Sequence, residues 1–202
     1  VAKLKSATIA ITGASGIVYG LRTIEVFSLY EIELNIVYTR GAIAVASSEV
    51  GIDLRKFLEE TTRGKGEKIK VYFEDQIEAP IASSSNVDDA FVVVPCSMKT
   101  LSHIAYGISE NLVSRAALNA LRMRRPVVLV PRETPLGYAE IYAMLRAHEA
   151  GAVILPAMPA FYTKPKSVND MVDFIVGKIL DVLGIDNSLY QRWKGGYQDR
   201  NI

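Results

Sequence analysis

A chain of 202 residues suits one domain with a sizeable core. A net charge of +1 gives no polybasic field for nucleic acid, one cysteine excludes an internal disulfide framework, and two histidines argue against a dedicated metal site. Half of the residues are hydrophobic and the mean hydropathy is +0.18, yet no stretch reaches the roughly 18 apolar residues of a membrane span, so the apolar surplus is expected between subunits.

Thr8–Ile11 reads as a buried strand, with no signal-like segment before it, which points to a cytoplasmic protein. Gly13-Ala14-Ser15-Gly16 then turns into a helix over Ile17–Tyr30, where Ile17, Leu21, Ile24 and Phe27 recur at helical spacing. Backbone N–H groups of such a turn can surround an anion at the positive end of the helix, so a phosphate-bearing ligand is expected there. A strand follows at Leu34–Tyr38, then helices at Arg40–Val50 and Leu54–Glu60, a polar loop at Thr61–Lys68 and a strand at Lys70–Phe73. A serine-rich loop at Ala82–Asn86 precedes a strand at Phe91–Val94 and helices at Ser97–Tyr106 and Asn111–Arg122. The chain closes with strand Val127–Val130, helix Leu136–Glu149, strand Val153–Leu155 and helix Val168–Leu183.

Strands that are apolar throughout and alternate with helices predict an α/β fold: a three-layer αβα sandwich around a parallel, Rossmann-like or flavodoxin-like sheet. One domain spans 1–202, and its tail, 186–202, is expected to pack on neighbouring subunits. In such sheets ligands bind beyond the carboxyl ends of the strands, which directs attention to the segment after each one.

Gly13-x-x-Gly16-x-x-x-Gly20 is not the dinucleotide fingerprint, and Tyr38-Thr39-Arg40 lacks the acid that would hold an NAD ribose. Tyr162-x-x-x-Lys166 has the spacing of the short-chain dehydrogenase pair, but Pro165 disfavours the helical turn that pairing needs, and Ile17 stands where that class has glycine. A mononucleotide such as FMN fits better.

Ser97 can cap the helix behind Pro95-Cys96, with Thr100 one turn on; the same hydroxyls and free N–H groups could hold a cofactor phosphate or ring edge. Cys96 reads as a small buried residue rather than a nucleophile. In Pro131-Arg132-Glu133-Thr134-Pro135 the acid and base are either a surface ion pair or an anion holder beside a proton donor or acceptor. Pro156 to Pro165 is a stiff apolar loop that can wall a pocket and present the Tyr162 hydroxyl to an anion. Glu49 reads as solvated, and Arg115, Arg122 and Lys178 as surface cations until something partners them. Trp193 either packs on a neighbouring subunit or covers a ligand.

Together these segments resemble the UbiX-like flavin prenyltransferases, of the homo-oligomeric flavin-containing decarboxylase-like fold. The resemblance runs over nearly the whole chain. It is carried by Thr12-Gly13-Ala14-Ser15-Gly16-x-x-Tyr19-Gly20, Pro95-Cys96-Ser97-x-x-Thr100-Leu101-Ser102, Pro131-Arg132-Glu133-x-Pro135, Gly151 to Pro156 with Phe161-Tyr162, and Leu183-Gly184-Ile185. It implies transfer of a dimethylallyl group from dimethylallyl monophosphate to N5 and C6 of reduced FMN. The product would be prenylated FMN, the cofactor of UbiD-like decarboxylases, and the assembly a homododecamer. It further implies FMN contacts from Gly13, Ala14, Ser15, Thr39, Ser97, Met98, Lys99, Thr100 and Arg132. Tyr162 and Lys178 would hold the donor phosphate, with Arg115, Arg122 and Glu133 beside it. Ser15 and Glu49 would move protons near N5, with Glu133 as a further acid or base. Trp193 would line the prenyl site from another subunit. No D-D-x-x-D motif is present, which suits a metal-independent reaction on a monophosphate. Arg122 stands where relatives are expected to carry lysine, and Lys178 where they carry arginine, a change of donor geometry at constant charge. Two other readings use the same fold: an FMN-dependent decarboxylase, and an FMN carrier without chemistry of its own.

Overall fold

The fold is that of a computed structural model, which describes residues 4–193 and residue 195. Six parallel strands form one sheet in the order β3-β2-β1-β4-β5-β6. They are β1 (Ser6–Ile11), β2 (Glu33–Tyr38), β3 (Ile69–Phe73), β4 (Ala90–Cys96), β5 (Val127–Pro131) and β6 (Val153–Ile154). The predicted three-layer architecture is therefore the observed one. The order reverses between β1 and β4, where Ile9 lies opposite Val92 on one side and Ile36 on the other. That switch point is where a parallel sheet opens a crevice for a ligand.

Strand alternation divides the core in two. Ala7, Ile9 and Ile11 face α1 (Ile17–Phe27), α2 (Arg40–Val50), α3 (Leu54–Thr62) and α7 (Val168–Val182). Ala10, Phe91 and Val93 face α4 (Met98–Ala105), α5 (Leu112–Arg122) and α6 (Tyr138–Glu149). Helix α1 lies directly on β4: a Cβ at Gly20 would stand 2.5 Å from the Val94 carbonyl oxygen, so only glycine permits this approach.

Several boundaries move by a few residues for local reasons. Helix α1 stops at Phe27 because Leu29 and Tyr30 bond three residues back, to Val26 and Phe27, and tighten the last turn. Ser97 and Asn111 cap α4 and α5 rather than joining them. The serine-rich loop contains two 3-10 turns, Pro80–Ala82 and Ser84–Asn86. Phe161–Thr163 is a 3-10 turn ended by Lys164 at φ 52°, so Tyr162 and Lys166 do not share a helix face and the dehydrogenase pairing is absent.

Two features bear on assembly. Helix α6 buries Ala143 and Ala147 but leaves Tyr138, Ile141, Tyr142 and Leu145 exposed, an apolar stripe at i, i+3, i+4 and i+7 on its outer side. The tail, expected on neighbouring subunits, returns along its own chain as far as Trp193: Ile185, Leu189 and Tyr190 pack on the α7 side of the core. A Cβ at Gly177 would lie 2.5 Å from the Tyr190 ring, so α7 has a glycine where that ring rests. Residues 194 and 196–202 of the predicted tail lie outside the described residues.

Candidate functional site

At the switch point a cleft of about 540 Å³ is lined by Thr12, Gly13, Thr39, Arg40, Gly41, Ser97, Lys99 and Thr100, among others. Two helices start on it. Thr39 caps α2, its hydroxyl accepting from the Ala42 amide at 3.1 Å. Ser97 caps α4, its Oγ accepting from the Thr100 amide at 3.2 Å. The first-turn amides of α4, Met98 and Lys99, have no partner within their own helix, so a bound anion can use them. Between the two starts the backbone closes up: a Cβ at Gly13 would lie 2.8 Å from Gly41 Cα. This cradle of glycine backbone, threonine and serine hydroxyls, two cations and helix N-termini fits a phosphate monoester such as that of FMN.

Neighbouring carboxylates organise the cleft rather than filling it. Glu74 accepts from the Arg40 amide at 2.7 Å and from Asn111 Nδ2 at 2.8 Å, tying the starts of α2 and α5 together. Glu110 pairs with Lys99 Nζ at 3.2 Å and lies 3.0 Å from His103 Nδ1.

The glycine turn corrects one expectation. The positive end of α1 is not left for a phosphate, because Glu49, in the last turn of α2, occupies it. Its Oε2 accepts from the Gly16 amide at 2.9 Å and the Ile17 amide at 3.2 Å. Gly16 is the N-cap of α1, at φ 94°, and has no side chain to do this itself. Desolvation opposes the charged carboxylate, but hydrogen bonds from the Ser15 hydroxyl and the Gly16 and Ile17 amides, with the Arg132 charge, outweigh it. They hold Glu49 below the ordinary Glu range. Arg132 Nε in turn donates to the Ser15 carbonyl at 3.3 Å. Ser15, Glu49 and Arg132 are thus one cluster, and Glu49 is not the free solvated residue its position suggests. Glu133 is exposed and accepts from the Thr134 amide at 3.0 Å. Cys96 is fully buried and its thiol is pushed far up by desolvation, which leaves it no role as a nucleophile.

The remaining candidates lie elsewhere in the chain. Tyr162 meets Phe174 and Trp193 edge-on, at ring distances of 6.0 and 5.7 Å. Lys178 lies over the Tyr190 ring at 5.1 Å and pairs with Asp181 at 3.8 Å. Its hydrogen bond to Tyr190 raises its pKa, against desolvation. Asp181 also takes hydrogen bonds from the Tyr190 hydroxyl, Asn187 and Arg192. Lys178 lies ten residues into α7, about 15 Å along the axis, and the residues beyond α7 reach the end of α1 through Tyr30 and the Asp186 carbonyl. This group therefore sits along α7, toward the opposite end of the layer from Ser15. Arg115 and Arg122 are exposed on α5, across the sheet from α7; Arg122 donates to Asn119 at 2.9 Å. One chain brings together Gly13, Thr39, Ser97, Lys99 and Thr100 in the cleft, and Ser15 with Glu49 and Arg132, but does not gather Tyr162, Lys178, Arg115 and Arg122 around them. Trp193 meets Tyr162 of its own chain.

Sequence reasoning passed over Gly41, Glu74 and Asn111, and named Thr12 and Arg40 only within strand-end segments without giving them a role; all five build the cleft. The signal available for most of them was position alone: each stands at or just past a strand end or begins a helix.

The family model described as Flavoprotein matches residues 2–180. A flavin prenyltransferase UbiX from Saccharolobus solfataricus is 44% identical over 195 residues, covering 96% of this chain and 94% of that protein. A UbiX crystal structure in complex with FMN and dimethylallyl pyrophosphate superposes with a TM-score of 0.88 at 34% identity, covering 96% of this chain and 100% of that one. A dodecameric FMN-dependent UbiX-like decarboxylase from Escherichia coli O157:H7 superposes at 0.87 with 31% identity, covering 94% and 100%. Likeness on this scale runs through both layers of helices as well as the strand-end segments that form the cleft, and it places the chain in the flavoprotein family as a UbiX-type flavin prenyltransferase.

Proposed function

We propose that the chain transfers a dimethylallyl group from dimethylallyl monophosphate to N5 and C6 of reduced FMN, and that a UbiD-like decarboxylase receives the prenylated FMN. The observation that carries this is the phosphate cradle between Gly13, Thr39 and Ser97, set beside the Ser15–Glu49–Arg132 cluster. A carrier needs the first but has no use for the second.

Reduced FMN supplies the electron-rich ring positions that take the prenyl carbon. Thr39, Ser97, Thr100 and Lys99 hold its phosphate, and Ala14 and Met98 pack beside them. Arg132 fixes the Ser15 loop and adds its charge to the hydrogen bonds that hold Glu49 ionised. The Ser15 hydroxyl, already directed at Glu49, gives a proton path whose acceptor is charged at neutral pH. As the donor's C1–O bond breaks, the phosphate leaves with the bonding pair. Tyr162 and Lys178 stabilise it, with Arg115, Arg122 and Glu133 beside it and no metal required. Aromatic walls, Trp193 among them, stabilise the allylic cation and exclude water.

Because these donor-side groups stand apart in one chain, the reading includes a homo-oligomer, a dodecamer like the E. coli neighbour, in which copies complete each other's sites. The exposed α6 stripe supports such contacts. A cytoplasmic setting belongs to the same reading and suits a lone buried thiol.

The test is anaerobic incubation with reduced FMN and dimethylallyl monophosphate, followed by the mass of the extracted flavin. A gain of one isoprene unit is expected. Unchanged FMN, with the diphosphate also tried as donor, overturns the reading.

A further inference from the structure

Thr12 follows β1 directly and is 1% exposed. Its hydroxyl spans the switch point. It donates to the Pro95 carbonyl at 2.8 Å and accepts from the Ser97 amide at 2.7 Å. The Thr12 amide also donates to the Pro95 carbonyl, at 3.3 Å. One side chain thus joins the ends of β1 and β4 and grips the residues on both sides of Cys96.

What it grips matters for the cleft. Ser97 is the N-cap of α4, and its orientation sets where Ser97 Oγ, Thr100 and the first-turn amides of α4 point. Ser97 Oγ lies 3.0 Å from Thr100 Oγ1, so the two hydroxyls move as one unit. The next residue after Thr12 is Gly13, whose backbone touches Gly41 at the start of α2. Thr12 therefore stands where the two helix starts of the cradle are joined, without lining it by charge.

We propose that the Thr12 hydroxyl is a positioning residue that fixes the phosphate end of the cleft, and so sets the preference for FMN over riboflavin, the same flavin without its phosphate. This rests on the reading of the cleft as the FMN phosphate pocket. A group that merely held the fold together would support both flavins equally. A group that aims the Ser97 cap acts on the phosphate, which riboflavin lacks.

The experiment measures the Kd of FMN and of riboflavin for the full chain carrying Thr12→Val, which keeps shape and removes the hydroxyl, and Thr12→Ser, which keeps the hydroxyl. Loss of the hydrogen bond between the buried Thr12 hydroxyl and the Ser97 amide predicts that Thr12→Val weakens FMN about tenfold or more while riboflavin changes less than about twofold. Thr12→Ser should restore the FMN preference. Unchanged FMN affinity in Thr12→Val, or an equal loss for both flavins, overturns the proposal. Wild-type protein that binds both flavins alike overturns instead the phosphate-pocket reading beneath it. A measurement on the wild type stands even if Thr12→Val does not fold: the Ser97 amide of the FMN-free protein should exchange hydrogen as slowly as the core strands, and rapid exchange overturns the proposal.

Discussion

The carboxylate of Glu49 takes the place of a side-chain cap on α1, accepting the Gly16 amide at 2.9 Å from the far end of α2. A residue 33 positions away thereby satisfies the helix start that Gly16 cannot cap itself. The same carboxylate takes the Ser15 hydroxyl and feels the Arg132 charge, so the group that closes a helix is also the nearest candidate proton acceptor.

Glu49→Gln keeps the shape and one acceptor oxygen, enough for the Gly16 and Ile17 amides that share Oε2, and removes the charge. Prenyl transfer should fall about 100-fold, the usual scale for losing a positioned acid or base, while FMN affinity stays near wild type. Single-turnover transfer and an FMN titration check this. Wild-type turnover in the variant would remove Glu49 from the chemistry, and loss of FMN would make it a binding residue.

The same group links stability to pH. Its folded pKa lies below the ordinary 4.5, so its stabilisation is fully present above the unfolded value and is lost as pH falls through the folded one. Urea midpoints taken from about pH 6 down to about pH 3 should fall more steeply for wild type than for Glu49→Gln. Parallel curves would mean that the helix start gains nothing from the charge.

Two glycines separate fold from site. A Cβ at Gly20 would stand 2.5 Å from the Val94 carbonyl oxygen, so Gly20→Ala must push α1 off β4, costing about 1–3 kcal/mol of stability. A Cβ at Gly13 would stand 2.8 Å from Gly41 Cα, so Gly13→Ala must open the cradle and weaken FMN about tenfold or more. Thermal unfolding and FMN titration on both variants test the division. Equal FMN loss in the two would show that the cradle is no more local than the helix packing.

The sheet and both helical layers were legible because apolar strands and helical periodicity are local signals: Ile17, Leu21, Ile24 and Phe27 mark the inner face of α1 before any contact is known. The hydroxyl cap at Ser97 was legible from position, while the cap at Thr39 emerged only in the structure. Glu49 read as solvated in its own segment and was set beside Ser15 only by the resemblance, because its partners are reached only when α2 folds back beside α1. Thr12 was hidden for the same reason: its hydroxyl partners lie 83 and 85 residues on. Family resemblance alone pointed to Lys178, whereas Tyr162 was already offered to an anion by its stiff proline-bounded loop. Nothing local says that Tyr190 lies under the ammonium or that Gly177 makes room for that ring.

Lys178 gives a prediction on the donor side. Asp181 and the Tyr190 ring hold its ammonium, and its raised pKa means that the charge persists below the ordinary 10.5 and is lost only as pH rises through a higher value. Lys178→Met should raise the KM for dimethylallyl monophosphate about tenfold, as expected for losing a charged contact to phosphate, and leave the Kd of FMN unchanged. Steady-state kinetics with the donor varied are the check. A change in FMN binding instead of donor KM would move Lys178 to the flavin.

The outer side of α6 carries the last prediction. Tyr138 is 82% exposed and Ile141 55%, with Tyr142 and Leu145 beside them, while the helix's core face is the buried Ala143 and Ala147 with Met144 half-buried next to them. Four large apolar side chains at helical spacing facing water are costly in an isolated chain and favourable between copies. Ile141→Glu and Leu145→Glu add charge to that stripe without touching the core, so each chain should still fold and bind FMN more weakly at most. Native mass spectrometry should show the assembly reduced to smaller species, and prenyl transfer should fall with it if neighbouring copies complete the donor site. Assemblies of wild-type mass in both variants would place the subunit contacts on another face and leave the stripe without that role.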